Sequence, residues 1–445
     1  MKNILILGAG LSTSSLIDYL LRNAVEHDWH VTVADIDLET AKTKVNGHEC
    51  GSAISFNISD KDESNKTIAA ADVVISMLPA SMHSIVAAAC IEYKKPMLTA
   101  SYASDDIKAF DEAAKEAGIP IYMELGLDPG IDHMSAMKII DEIKEDGGDV
   151  TSFYSFTGGL VAPEYDNNPW NYKFTWNPRN VVLAGNGVSQ YIHSGRYKYI
   201  PYPKLFDRVI TRKILEYGDF EVYPNRDSLK YRGIYNLNNI PTMYRGTVRR
   251  PGYAKAWSVF VTLGITDDSY TLEDSENMTY RQFINSFLKF EPDVPVEIKL
   301  QSYCNAASDP VVMEKLQWLG IFDNRKIGLV NATPAQILQK LLIEKWSMDP
   351  EDKDMIIMQH EFKYKKDDVE KMIVSAMAYK GKNQTETAMA ITVGLPLAIA
   401  TKLFLTGKFS HTGVKLPIEK DMYAPILTEL ESFGITFEEK EYLVR

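Results

Sequence analysis

The chain has 445 residues, 45% of them hydrophobic and 24% charged, the make-up of an ordinary soluble globular protein of two or three domains. A formal net charge of −12 sets most of its surface against nucleic acid and anionic membranes. Its three cysteines, Cys50, Cys90 and Cys304, are far apart and odd in number, which fits reduced thiols in a cytoplasm better than a disulfide framework.

The opening MKNILILGAG meets glycines too soon for a signal peptide and reads as a first strand. No apolar run approaches the roughly 20 residues that span a bilayer. Residues 3–7 (NILIL) are apolar throughout, as in a strand buried on both faces of a parallel sheet. Gly8-Ala9-Gly10 follows, then a helix with Leu16, Tyr19 and Leu20 inward. Further strands are expected at 30–35, 52–58, 72–78, 97–101 and 119–127, with helices near 39–45, 62–71, 82–93 and 105–117. This alternation implies a doubly wound parallel sheet. ELGLDPGIDH (124–133) closes it, with Asp128-Pro129-Gly130 as a sharp turn and Asp132 as the N-cap of a helix carrying Met134, Met137, Ile140 and Ile143.

Beyond residue 146 the pattern is mixed. VTSFYSFT (150–157) and MYRGTVRR (243–250) alternate like half-exposed strands, residues 270–350 are helical, and 355–364 with 370–379 read as a hairpin. The segment TETAMAITVGLPLAIATKLFL is a long apolar helix, kinked at Pro396, that must pack on the first domain. The expected organisation is a Rossmann-type domain over 1–128 joined by 384–445, and a mixed α/β substrate domain over 129–383 with a helical insertion at about 270–350.

Gly8-x-Gly10 between an apolar strand and a helix allows a backbone turn close to a pyrophosphate at the helix N-terminus. Thr13 stands where the fingerprint has a third glycine; it and Ser12 could offer hydroxyls to phosphate. Asp35 ends the second strand, where a carboxylate accepts both ribose hydroxyls and repels a 2′-phosphate, so NAD is favoured over NADP; Lys42 and Lys44 nearby temper that choice. Asp128, at the carboxyl end of a parallel strand, is the first candidate for chemistry.

Residues 204–255 are locally basic, with eleven cations against five acids. Most of these suit a solvated face, but Arg226 in YPNRDS and Arg245 in YRGT lie in turn-rich contexts where an arginine fork could grip a carboxylate. The segment 158–176 is either a functional loop or an Ω-loop packed by its own aromatics. His83, His133 and His193 read as structural histidines. No cluster has metal-ligand spacing, so no metal is expected.

Together these stretches resemble saccharopine dehydrogenase of the L-glutamate-forming type (saccharopine reductase). The match is carried by GAG at 8–10, VVISMLP at 73–79, TASY at 99–102, ELGLDPGIDH, GGLVAPE, YPNRDS, RGTVR at 245–249 and QWLGIFD at 317–323. The resemblance implies a homodimer that oxidises saccharopine with NAD or NADP to L-glutamate and 2-aminoadipate 6-semialdehyde, reversibly, in lysine metabolism. It implies cofactor contacts from Gly8, Gly10, Leu11, Ser12, Asp35, Asn57, Leu78, Thr99, Leu127, Asp128 and Pro129. Substrate contacts would come from Ser101, Tyr102, Asp128, Arg226, Arg245, Gly246 and Thr247. Two departures stand out: Asp35-Ile36 where NADP-using fungal relatives have an arginine after the second strand, and Thr157 where they carry a cysteine. A carboxynorspermidine synthase or a non-catalytic NAD-binding sensor are the competing readings; neither the physiological direction nor the role of Asp128, base or anchor, is written in the sequence.

Overall fold

The computed structural model describes residues 1–444 as two compact units, 1–148 with 379–437, and 149–378 with the chain from 438. In the first unit six strands follow in order: β1 (Lys2–Leu7), β2 (Trp29–Asp35), β3 (Gly51–Ser55), β4 (Val73–Ser76), β5 (Met97–Leu98) and β6 (Pro120–Tyr122). They pair in the order β3-β2-β1-β4-β5-β6, all parallel, the doubly wound Rossmann order. The apolar runs explain this, since Ile4 to Leu7 and Val73 to Ile75 are buried and a two-faced strand must be apolar throughout.

A seventh strand, Gly413–Lys415, adds parallel to β6 from the far end of the chain. Three residues with one apolar side chain carry no periodicity, so the sequence does not announce it. The apolar helix Ala388–Leu405 is 18 residues long and, by length and composition alone, long enough to cross a membrane, contrary to the expectation that no such run exists. It is mostly buried within the first unit, packed on the helices Ser14–His27 and Lys420–Glu431. Its apolar surface is therefore used in the core of that unit.

The turn at 126–130 is tighter than the sequence suggests. Gly130 has φ +146°, and a Cβ there would lie 2.0 Å from the Gly126 carbonyl oxygen, so only glycine fits. The helix Ile131–Glu145 starts from Gly130 rather than from Asp132, whose Oδ1 accepts from Gly130 N at 2.7 Å from inside the first turn. That helix belongs to the first unit, which therefore runs to Gly148 and not to 128.

The second unit is built on β7 (Asp149–Val161), β8 (Val188–His193), β9 (Arg196–Pro201), β10 (Ile210–Lys213), β11 (Asp219–Pro224), β12 (Thr242–Arg249), β13 (Asp354–Lys366) and β14 (Val369–Lys380). The sheet runs β10-β11-β12-β7-β13-β14 and ends on Glu438–Leu443, with β8 and β9 branching from β12. β12 and β7 are parallel, whereas β10 with β11, β11 with β12, β13 with β7 and β14 with Glu438–Leu443 are antiparallel, giving the mixed sheet expected. β13 and β14 are joined by Asp367-Asp368, both at positive φ, the backbone of a tight two-residue hairpin turn. Helices between 253 and 346 bury Trp257 and Trp346 against Phe156, Val222 and Val248 of the sheet. Strands β8 to β11 are short, and β8 to β10 are largely exposed or half-exposed, which is why their sequences look like loop. The final strand sits in this sheet, although the whole of 384–445 was expected to join the first domain.

Candidate functional site

In the first unit β1 ends at Leu7, and Gly8-Ala9-Gly10 leads through a 3-10 turn (Leu11–Thr13) into the helix Ser14–His27. Gly8 has φ +101°, and a Cβ on it would stand 2.9 Å from the Met77 carbonyl oxygen. A Cβ on Gly10 would meet nothing within 4 Å, so the turn presents open backbone next to a helix start, the arrangement a pyrophosphate needs. Asp35 reaches over from β2: its Oδ2 accepts from Ala9 N at 2.7 Å and its Oδ1 from Asp37 N at 3.0 Å. A carboxylate with two such bonds keeps acceptor capacity for ribose hydroxyls. These residues fit a dinucleotide.

Thr13 is corrected. Its hydroxyl is buried and donates to Gly10 O at 2.7 Å, so it serves the turn and is not offered to phosphate. Ser12 remains half-buried and Leu11 exposed. The two lysines that tempered the cofactor choice are both engaged. Lys42 pairs with Glu39 at 2.8 Å, and Lys44 bonds to Ser14 Oγ, with its pKa lowered by burial.

The other expected cofactor residues follow the strands of the same sheet. Asn57 lies just beyond β3, exposed, its Oδ1 accepting from Ser59 N at 3.0 Å; half-buried Leu78 follows β4 and buried Thr99 follows β5. Leu127, Asp128 and Pro129 follow β6 in the turn described above. Tyr102 donates its hydroxyl proton to Asp128 Oδ1 at 2.6 Å. The neighbouring Ser101 closes a chain that sequence reasoning missed: Ser76 Oγ lies 2.9 Å from His83 Nδ1, and His83 Nε2 lies 2.7 Å from Ser101 Oγ.

Burial pushes His83 down from its ordinary 6.5 to about 4, so the folded protein holds it neutral. Between those pH values the unfolded chain binds the extra proton, so stability is lost as pH falls from 6.5 towards 4, by up to about 3 kcal/mol from this group. His83→Gln should therefore shrink the stability gap between neutral pH and about pH 4.5 in urea titrations. A gap of undiminished size would show that burial of His83 does not carry it.

His133 is a structural histidine. It is fully buried, and its Nε2 lies 2.6 Å from Oε2 of Glu124, whose other oxygen accepts from Ala103 N at 3.0 Å. Glu124 sits at φ +61°, and the pair pins the segment that presents Asp128. It opens ELGLDPGIDH, but nothing in the sequence marks it as the partner of His133.

In the second unit the YPNRDS turn and RGT lie side by side, because Pro224 pairs with Gly246 and Tyr223 with Thr247 across β11 and β12. Asn225 N donates to Arg245 O, and Ser228 Oγ accepts from Arg245 N, each at 2.9 Å. The two arginines differ. Arg245 is 4% exposed with its guanidinium 4.2 Å from the Tyr231 ring centre, whereas Arg226 is exposed on a left-handed turn at φ +48°. Thr157 lies opposite Thr247 on the adjacent β7.

The remaining basic residues are not all a solvated face. Arg249 is buried amid Tyr172, Tyr223 and Tyr253, and Arg250 stacks on Phe220. Of the two readings of 158–176, packing explains the aromatics: Trp170, Tyr172 and Phe174 enter the core, and Trp170 Nε1 donates to Lys315 O. His193 is exposed and bonds Tyr154 OH. Folding does bring one trio of metal-type ligands together in the first unit, His411, Glu419 and Asp421, with ligand atoms within 4.8 Å of one another. Within it His411 Nε2 lies 3.1 Å from Asp421 Oδ2, and both carboxylates are exposed.

Comparison with known proteins gives matches along most of the chain. A family model for the saccharopine dehydrogenase NADP binding domain matches residues 4–121, and one for the saccharopine dehydrogenase C-terminal domain matches 126–435. The chain is 33% identical over 444 residues to the mitochondrial alpha-aminoadipic semialdehyde synthase of Mus musculus, covering 98% of this chain but 47% of the mouse protein, so it spans about half the length of that relative. It is 32% identical over 449 residues to the saccharopine dehydrogenase (NADP(+), L-glutamate-forming) of Pyricularia oryzae, covering 99% of each. The solved structure of apo histidine-tagged saccharopine dehydrogenase (L-Glu forming) from Saccharomyces cerevisiae matches with a TM-score of 0.90 and 31% identity, over 99% of this chain and 100% of that one.

Proposed function

Because the chain belongs to the saccharopine dehydrogenase family, we propose that it oxidises the secondary amine of saccharopine to give L-glutamate and L-2-aminoadipate 6-semialdehyde, and runs the reverse condensation. The observation that carries this reading is Asp128, bonded by Tyr102 at 2.6 Å, at the carboxyl end of a sheet whose first turn fits a dinucleotide. A dinucleotide held at this turn would supply the hydride acceptor for oxidation of the substrate C–N bond. Asp128 accepts a proton from the water adding to the C=N bond and returns it to the nitrogen as the C–N bond of the resulting carbinolamine breaks. This releases the amine of L-glutamate and leaves the aldehyde, and Tyr102 orients the Asp128 carboxylate. Gly8, Gly10, Leu11, Ser12, Asn57, Leu78, Thr99, Leu127 and Pro129 hold the dinucleotide, and Ser101 and Tyr102 meet the substrate. In the second unit Arg226 and Arg245, with Gly246 and Thr247, hold substrate carboxylates. Thr157, beside Thr247, does not titrate near neutral pH and takes no part in proton transfer. A homodimer is the assembly this reading carries.

NAD is the proposed cofactor, although the family model and the fungal relatives are named for NADP. Asp35 would repel a 2′-phosphate, Ile36 offers it no charge, and Lys42 and Lys44 are already bonded. The test is loss of NADH or NADPH absorbance with glutamate and the semialdehyde supplied. NADH should be consumed at least about tenfold more efficiently, the scale of one charge-repulsion difference. A preference for NADPH removes the Asp35 argument, and no turnover with either removes the enzyme reading in favour of a binding protein.

A further inference from the structure

Ser76, His83 and Ser101 come from three separate places in the first unit: the end of β4, the first residue of the helix His83–Glu92, and the loop after β5. They form one chain of two hydrogen bonds, 2.9 Å from Ser76 Oγ to Nδ1 and 2.7 Å from Nε2 to Ser101 Oγ. A neutral imidazole has one N–H and one bare nitrogen, so such a chain has a direction. Which direction is decided at its buried end. Ser76 is 0% exposed, and among the described residues His83 Nδ1 is the one partner of its hydroxyl.

Were Nδ1 protonated, it would donate to Ser76 Oγ and leave the serine's own hydrogen buried without an acceptor, the costly arrangement that folded proteins avoid. The Ser76 hydroxyl therefore donates to Nδ1. Nε2–H then donates to Ser101 Oγ. The hydrogen of the Ser101 hydroxyl is left over, with no acceptor among the described residues, on a residue that is half-buried rather than sealed.

We propose that Ser76 and His83 are positioning residues that fix Ser101 as a hydrogen-bond donor, so that it selects a carboxylate oxygen of the substrate and not an ammonium group. The inference rests on the reading that Ser101 meets the substrate, and it adds a direction and a chemical class to that contact. An opposite direction would make Ser101 an acceptor, suited to an amine. Burial, which holds His83 neutral, keeps the direction unchanged across the neutral range. The specificity is thus set two hydrogen bonds away from the contact, by a fully buried hydroxyl.

The direct test is nitrogen NMR of histidine-labelled protein, with His83→Gln identifying the His83 signals. Expected is an imidazole protonated on Nε2 and bare on Nδ1 that does not titrate between about pH 5.5 and pH 8, within which an ordinary histidine would. Protonation on Nδ1, or an imidazolium at neutral pH, overturns the proposal. In kinetics, Ser101→Ala should raise KM for saccharopine roughly tenfold or more, the scale of one hydrogen bond to a charged group. Ser76→Ala, which frees the direction of the chain but keeps the Ser101 hydroxyl, should raise it by a smaller factor, with kcat and dinucleotide binding within about twofold in both. An unchanged KM in Ser101→Ala overturns the donor role even if the tautomer is as expected. The NMR result does not depend on turnover, so a wrong tautomer in an active enzyme defeats this proposal alone, while an inactive parent protein defeats the functional reading alone.

Discussion

Asp128→Asn should lower kcat for saccharopine oxidation by about a thousandfold, within the range that loss of a general base costs. The substitution keeps size and hydrogen-bonding shape, so Tyr102 can still donate to the remaining carbonyl oxygen, and the turn built on Gly126 and Gly130 is untouched. What is lost is the capacity to take a proton. At about 1.4 kcal/mol per factor of ten, the expected effect is about 4 kcal/mol of transition-state stabilisation. Binding of the dinucleotide should change by less than about threefold, because the phosphate turn and Asp35 stand on other strands of the sheet. Tyr102→Phe separates orientation from proton transfer: it removes one bond to a carboxylate and should cost about tenfold in kcat. Stopped-flow and steady-state assays across pH give both numbers. If Asp128→Asn turns over like the parent while Tyr102→Phe does not, Asp128 is an anchor for ligand and the base lies elsewhere.

The sheet of the first unit is readable in the residues because burial on two faces forces apolar strands, and these strands alternate with helices at regular spacing. Asp35 is visible because it ends such a strand, and Asp128 because the apolar run 119–127 leads to it, although β6 itself stops at Tyr122. The His83 chain was not, since its members stand at 76, 83 and 101, and only the sheet order β1-β4-β5 brings their loops together. Glu124 was hidden for a related reason: a glutamate at positive φ with both oxygens bonded inside the protein has no sequence signature. Asp132 misled because its side chain does accept a helix-start N–H, but from within the first turn. In the second unit charge misled most. A run of cations suggests solvent, yet Arg249 is buried among tyrosines, where the faces of aromatic rings, and not carboxylates, surround the guanidinium.

The same burial contrast ranks the two arginines that the sequence left equal. Arg245→Lys should raise KM for saccharopine by about a hundredfold, and Arg226→Lys by less than tenfold. A lysine at 245 keeps the charge but gives up one of the two parallel bonds proposed to a substrate carboxylate, worth about 1.5–3 kcal/mol, and the stacking on Tyr231, worth about 1 kcal/mol. Because Arg245 is 4% exposed, water cannot fill the gap left by the shorter head group as it can around exposed Arg226. The electrostatic part of an exposed contact is also screened, so the Arg226 effect should fade between about 0.05 and 0.5 M salt while the Arg245 effect persists. Tyr231→Leu gives an independent check, since it removes the ring without touching the charge and should reproduce part of the Arg245→Lys defect. If Arg226→Lys proves the more damaging of the two, the carboxylate is gripped at the turn and not on β12, and the buried guanidinium serves the packing of Tyr231 instead.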